Sequence, residues 1–201
     1  MDYFTTKRNS TIFVSLLAVL TALTTVTTIM ITVSFPYTQG YFNLGDASVM
    51  LSGFLLGPVG GFIAGGVGSA AADLVVAPAY APLTFLTKGC EGMVVGWFSS
   101  RTKKKARISA WDILGVILAS VVMLIGYLLG EVLFLGYVWE AAMLELITIN
   151  SIQVIVGSIV TIIVGPTARA FLQTVVSEGP ANGIDEMDEL EAHSSDGTTN
   201  D

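Results

Sequence analysis

Side chains that commonly carry chemistry are scarce in this sequence. One histidine (His193) and one cysteine (Cys90) occur in 201 residues, and His193 falls near the C-terminus. A single cysteine excludes an intrachain disulfide. The shortage also leaves little material for metal ligation, thiol–imidazole catalysis or a serine–histidine pair in the body of the chain. No Gly-x-x-x-x-Gly-Lys-Ser/Thr loop is present to cradle ATP phosphates. Charge is also sparse: 12% of residues are Asp, Glu, Lys or Arg, against about 25% in ordinary soluble domains. The tail, residues 178–201, has no Lys or Arg at all.

What is present is apolar. Hydrophobic residues make up 53% of the chain, and its mean hydropathy is +0.73. Residues 11–35 contain no charge. That run suffices to cross a hydrocarbon core of roughly 30 Å. It follows Lys7 and Arg8 but is longer than a signal-peptide core and lacks a small-residue cleavage site, so it reads as a retained first helix. The tail holds eight of the sixteen acidic residues, leaving residues 1–177 with nine basic and eight acidic. The body is therefore near neutral, and the tail reads as a solvated, disordered extension.

Six apolar spans are expected, at about 11–35, 46–57, 60–77, 82–100, 110–135 and 142–165. The second is short, about 18 Å as an ideal helix. The basic loop 101–107 and Lys7–Arg8 both favour the cytoplasmic side, which requires an even number of crossings between them. The short segment then counts as a crossing that sits against protein rather than lipid. The expected fold is all-α: a polytopic membrane protein with six transmembrane helices in one compact bundle and both termini cytoplasmic. Residues 1–10 form a cytoplasmic N-terminus, 11–177 the membrane domain and 178–201 the acidic tail. Gly165-Pro166 is expected to end or kink the sixth span, with Arg169 at the head groups of a short interfacial helix.

Residues 57–73, GPVGGFIAGGVGSAAAD, hold six glycines. Helices in lipid associate by close packing, and Gly61/Gly65, Ala64/Gly68 and Gly68/Ala72 make smooth faces on the third span. Gly57-Pro58-Val59-Gly60 reads as a tight turn into that central post.

Polar groups inside the spans are the candidate site. Lys88 and Glu91 share a face of the fourth span, either as a structural ion pair or as a ligand-facing pair. Glu131 lies one turn above Tyr127 on the fifth; Asn150 and Gln153 share a face of the sixth, with Glu145 nearer the mouth. Asp46 suits an N-cap after Asn43, or a place in the site. Asp73 is expected to meet head groups or loop amides. Most of these residues fall on the last three spans, which separates a smooth half from a polar half. Tyr37, Tyr41, Phe42, Tyr80, Tyr137 and Trp139 fall in outer loops, as an interfacial belt or as a lid. Ala18 and Ala22 form a small-residue pair on the first span.

The order of motifs Tyr41-Phe42-Asn43-Leu44-Gly45-Asp46, Leu56-Gly57-Pro58-Val59-Gly60-Gly61, Gly65-Gly66-Val67-Gly68-Ser69-Ala70, Ala72-Asp73 and Lys88-Gly89-Cys90-Glu91-Gly92 resembles the substrate-binding S component of energy-coupling factor (ECF) transporters, riboflavin-type branch, over residues 11–170. The resemblance implies a prokaryotic cell-membrane protein that binds a vitamin or vitamin precursor from outside as substrate, with no cofactor, no metal and no nucleic acid. It implies an ECF transmembrane scaffold, met by Ala18 and Ala22, and two ATPase subunits. By the same resemblance, ligand contacts fall to the outer loops and last three helices: Asn43, Asp46, Tyr80, Lys88, Glu91, Tyr127, Glu131, Asn150 and Gln153. A solitary permease or membrane sensor is the alternative. A lipid-modifying membrane enzyme is disfavoured, because only Lys88 and Glu91 offer an acid–base pair.

Overall fold

The computed structural model describes residues 7–38, 40–102 and 107–177. The expectations for residues 1–6, for residues 103–106 of the basic loop and for the acidic tail 178–201 lie outside the described residues. The chain divides into two units, 1–169 and 170–201; of the second, residues 170–177 are described and are helical.

The elements are helix α1 (Lys7–Met30), a short antiparallel pair β1 (Val33–Ser34) and β2 (Tyr41–Phe42), and helices α2 (Gly45–Leu56), α3 (Pro58–Val76), α4 (Ala81–Ser99) and α5 (Ala110–Leu133). The final rod is α6 (Trp139–Glu145), a π-helical turn (Leu146–Asn150) and α7 (Ser151–Ser177). The strands pair Val33 with Phe42 and Ser34 with Tyr41. Thr11–Met30, Pro58–Val76, Ala110–Leu133 and Trp139–Thr174 are long and apolar enough to cross a membrane. α4 equals α3 in length at 19 residues but is more polar, and α2 has only 12. Six helical rods are thus present among the described residues.

Local signals set the boundaries. Gly57 ends α2 and begins α3 with φ 86°, a backbone angle that favours glycine. Pro58 follows at the first helical position, where its missing N–H costs nothing. Ser109 and Asp112 form a capping box at the start of α5, each satisfying an otherwise unpaired backbone donor.

α3 packs most extensively on α4, and also on α1 and α2. The contact is backbone on backbone. A Cβ added at Gly92 would lie 2.3 Å from the Gly61 carbonyl oxygen, and one at Gly61 would lie 2.3 Å from that of Gly92. Gly53 of α2 meets the same Gly92 carbonyl. The glycines of the post therefore remove the side-chain layer where three helices meet, as expected of association in lipid. α2 is buried on most of its residues, which accounts for its length: its neighbours, not lipid, surround it. Large apolar side chains such as Val14, Val67, Ile125 and Ile155 stay exposed on the outer faces.

One expectation is narrowed and one corrected. Of the two outcomes expected at Gly165-Pro166, an end or a kink, the end is excluded, because α7 runs on through Pro166. A proline deletes one ladder hydrogen bond, which helices in apolar surroundings tolerate when packed; Gly165 leans against the Phe54 ring. Arg169 is not at head groups but buried. Its guanidinium lies 3.2 Å from Asp112 Oδ1, donates to Ser99 Oγ at 2.7 Å and stacks 3.7 Å from the Phe54 ring centre. Asp112 also accepts from Thr102 Oγ1 at 2.6 Å. The end of α4, the start of α5 and α7 are thereby clasped together.

Gly92→Ala is expected to lower stability by about 1–3 kcal/mol, read as a drop in the thermal unfolding midpoint in detergent. Gly136→Asn serves as control, since Gly136 has positive φ but open space around it and asparagine tolerates that conformation. Equal midpoints for both variants would rule out the close approach as a stabilising contact.

Candidate ligand-binding site

At the end opposite the Arg169 clasp, β1–β2, the α3–α4 turn and the start of the last rod surround a small cavity. It offers about 20 Å³ to the centre of a water-sized sphere, room for one or two waters. Lys88 forms its base. The ammonium donates to Asp46 Oδ1, sits 3.3 Å from Glu91 Oε2 and lies 5.4 Å from the centre of the Tyr127 ring. All three charged residues are at most 3% exposed. Asp46 is not an N-cap. α2 begins after Leu44 without a side-chain cap, and Asp46 sits in the first turn with its carboxylate turned to Lys88. Asn43 takes a local role instead, its Oδ1 accepting from the Gly45 N–H at 2.8 Å. A buried ammonium needs its countercharge more than a helix end needs a cap. Gly157 of α7 lets the last rod approach the Asp46 backbone.

The roof includes Thr38, Gly40 and, from β2, Tyr41, and is tied down by two carboxylates. Tyr41 donates its hydroxyl to Asp73 Oδ1, and Thr38 donates to Glu145 Oε2. Burial and the nearby Asp73 charge push the Tyr41 phenol far above its ordinary value, so it remains a donor. Burial, then Glu145 and Glu131, push the Tyr80 phenol up likewise. Tyr80 packs between Tyr127 and Tyr137, with ring centres 6.4 and 6.3 Å away. The Tyr127 hydroxyl is 2.8 Å from Thr84 Oγ1.

The π turn places the amide side chains. Its widened loop ends at Asn150, and Ser151 Oγ satisfies the Leu146 carbonyl at 2.7 Å. π turns of this kind recur at functional sites. Gln153 Oε1 accepts from the Asn43 backbone N–H at 2.6 Å. Asn150 Nδ2 and Ser69 Oγ are buried at the cavity without a well-formed hydrogen bond.

The sequence profile of a known family, described as ECF-type riboflavin transporter, S component, matches residues 8–169. The chain belongs to this family. It is a membrane-embedded, substrate-binding component of a transporter family, a non-enzymatic role. The matched stretch takes in every residue of the cavity and stops at Arg169 of the clasp. A Pyrococcus woesei protein described as "Uncharacterized protein in gap 3'region" is 47% identical over 103 residues, covering 51% of this chain and 67% of that protein.

Of the site residues expected for an S component, Asn43, Tyr80, Lys88, Tyr127, Asn150 and Gln153 line the cavity. Asp46 and Glu91 stand behind Lys88. Glu131 is fully buried beside Glu145 and Asn150, behind the lining. Ala18 and Ala22 are exposed on α1. The division into a smooth and a polar half does not hold, because Thr28 of α1 and Ser69 and Asp73 of α3 also line the cavity, with Gly40, Tyr41, Thr84 and Glu145. Asp73 is 3% exposed, so it meets Tyr41 rather than head groups. The outer aromatics divide: Tyr41 and Tyr80 are buried at the cavity, whereas Tyr37 and Trp139 are exposed. Hydroxyls escape sequence reading because they pass for helix packing; Thr28 also bonds back to the Thr24 carbonyl.

Lys88→Met should strand Asp46 and Glu91 and cost about 3–5 kcal/mol of stability. Adding Asp46→Asn and Glu91→Gln should recover at least part of that loss in the same thermal assay. A neutral single substitution would show that the ammonium does not hold α2 to α4.

Proposed function

We propose that this S component captures riboflavin, or a closely related vitamin, at the cavity from outside the cell and delivers it through an ECF transmembrane scaffold driven by two ATPase subunits. The observation that carries this reading is a ring of buried polar side chains in an otherwise apolar bundle, with Asn150 Nδ2 and Ser69 Oγ still unpaired. Such groups are costly in hydrocarbon unless they serve a ligand or each other. The aromatic wall of Tyr80 and Tyr127 suits a planar ring. Arg101 and Arg107 lie at the far end, which supports a cavity facing outward by the positive-inside tendency. The exposed Ala18 and Ala22 give α1 a smooth surface for a second helix. A vitamin is far larger than the present cavity, so binding requires Tyr41 and Thr38 to lift from Asp73 and Glu145.

Titration of the full chain in detergent with riboflavin, followed by quenching of flavin fluorescence, should saturate at one ligand per chain. Asn150→Leu should weaken binding about tenfold, the equivalent of one lost buried hydrogen bond. Absence of any saturable signal with the unsubstituted protein would overturn riboflavin as the ligand.

Ala18→Trp should leave that titration within about twofold while abolishing vitamin uptake by cells carrying the scaffold and ATPase subunits. Uptake that persists without the ATPase subunits would instead mark a solitary permease.

A further inference from the structure

We infer that the clasp end of the bundle carries a binding site for one anionic phospholipid, with the headgroup phosphate on the Arg101 guanidinium and an acyl chain along α5 from Trp111. Arg101 lies just past the end of α4 and is exposed. Its guanidinium centre is 4.9 Å from the centre of the Trp111 ring and 5.2 Å from that of Phe98. The two rings stack on each other, 6.1 Å apart with 29° between their planes. Gly115 makes that stack possible: a Cβ there would lie 2.6 Å from Phe98 Cβ, so the glycine lets α5 close on α4. A guanidinium held against rings keeps its N–H fork for an outside acceptor, and the fork matches a phosphate.

Among the described residues, no carboxylate pairs with Arg101. Asp112, the residue after Trp111, is buried and engaged by Arg169 and Thr102. Arg107 is exposed as well, so this end presents uncompensated positive charge. The surface beside it suits a hydrocarbon chain. Leu114, Leu118 and Val121 follow Trp111 at helical spacing, and all four are exposed. Those ten residues of helix rise about 15 Å, half of a hydrocarbon core of roughly 30 Å, which is the depth of one leaflet. Trp97, near the end of α4, is exposed too. Indole rings favour the level of the head groups, so the two tryptophans put Arg101 where lipid phosphates lie. Free charge, head-group depth and a continuous apolar stripe coincide here. A soluble anion would use only the first of these, and an acidic protein would leave the stripe unmet.

The test is quenching of tryptophan fluorescence by lipids with brominated acyl chains, phosphatidylglycerol against phosphatidylcholine, on the full chain in nanodiscs. The chain has three tryptophans. Trp97→Phe with Trp139→Phe leaves Trp111 as the reporter. Trp97→Phe with Trp111→Phe leaves Trp139, at the start of the last rod, as the control. At Trp111, phosphatidylglycerol should bind about fivefold tighter than phosphatidylcholine, the effect of one arginine at a membrane surface. At Trp139 the two lipids should agree within about twofold. Arg101→Gln should remove the preference at Trp111, and Arg107→Gln should keep most of it. No preference at Trp111, the result if this face meets an acidic protein instead, overturns the site. Equal losses in the two arginine variants overturn it too, since diffuse basic charge would then be the cause. So does a preference abolished by millimolar inorganic phosphate at constant ionic strength, which would assign the guanidinium to a soluble anion. Mass spectrometry of the unsubstituted chain released from mixed nanodiscs gives a second reading: phosphatidylglycerol should be the lipid retained, and equal retention of both lipids counts against the site.

Discussion

An ammonium ion sunk in an apolar bundle cannot stand alone, and the arrangement around Lys88 follows from that constraint. Its charge is matched by Asp46 from α2 and Glu91 from its own helix, and its free face is covered by Tyr127 from α5. Pairing of this sort contributes less to net stability than to the uniqueness of the arrangement, because other packings would leave a charge unmet. Three helices are fixed in register by one side chain.

The glycine contacts make that register attainable. Asp46 can reach Lys88 because α2, α3 and α4 approach at Gly53, Gly61 and Gly92 with no side chains between them. At the other end, Arg169 repeats the logic with different chemistry: a guanidinium shared between a carboxylate, two hydroxyl-bearing residues and a phenyl face. Each end of the bundle is thus held by one buried cation. Between them lie the apolar core residues Met50, Phe54, Val95 and Met123.

Much of this could be read from the sequence. Apolar runs and punctuation such as Gly57-Pro58 gave six rods, and helical spacing put Lys88 with Glu91 and Asn150 with Gln153. The order of short motifs pointed to the family. What stayed hidden depended on which neighbour each helix would meet. Asp73 and Arg169 sit near span ends, where a charge reads as a head-group anchor unless its partner is known; Arg169's partner Asp112 lies 57 residues away. The π turn carries no signal in Leu-Ile-Thr-Ile-Asn, since nothing in those residues forbids an ordinary α turn. Asp46 stayed open between cap and site because an acidic residue at a helix start satisfies the capping rule whether or not it caps.

Gly40 has a part in how the cavity is closed. A Cβ there would overlap the Glu145 carboxyl group, so the covering strand presses bare main chain onto that acid. The lifting proposed for ligand entry would therefore draw side chains off the acids only at Thr38 and Tyr41, with none at the position between them that touches Glu145 most closely.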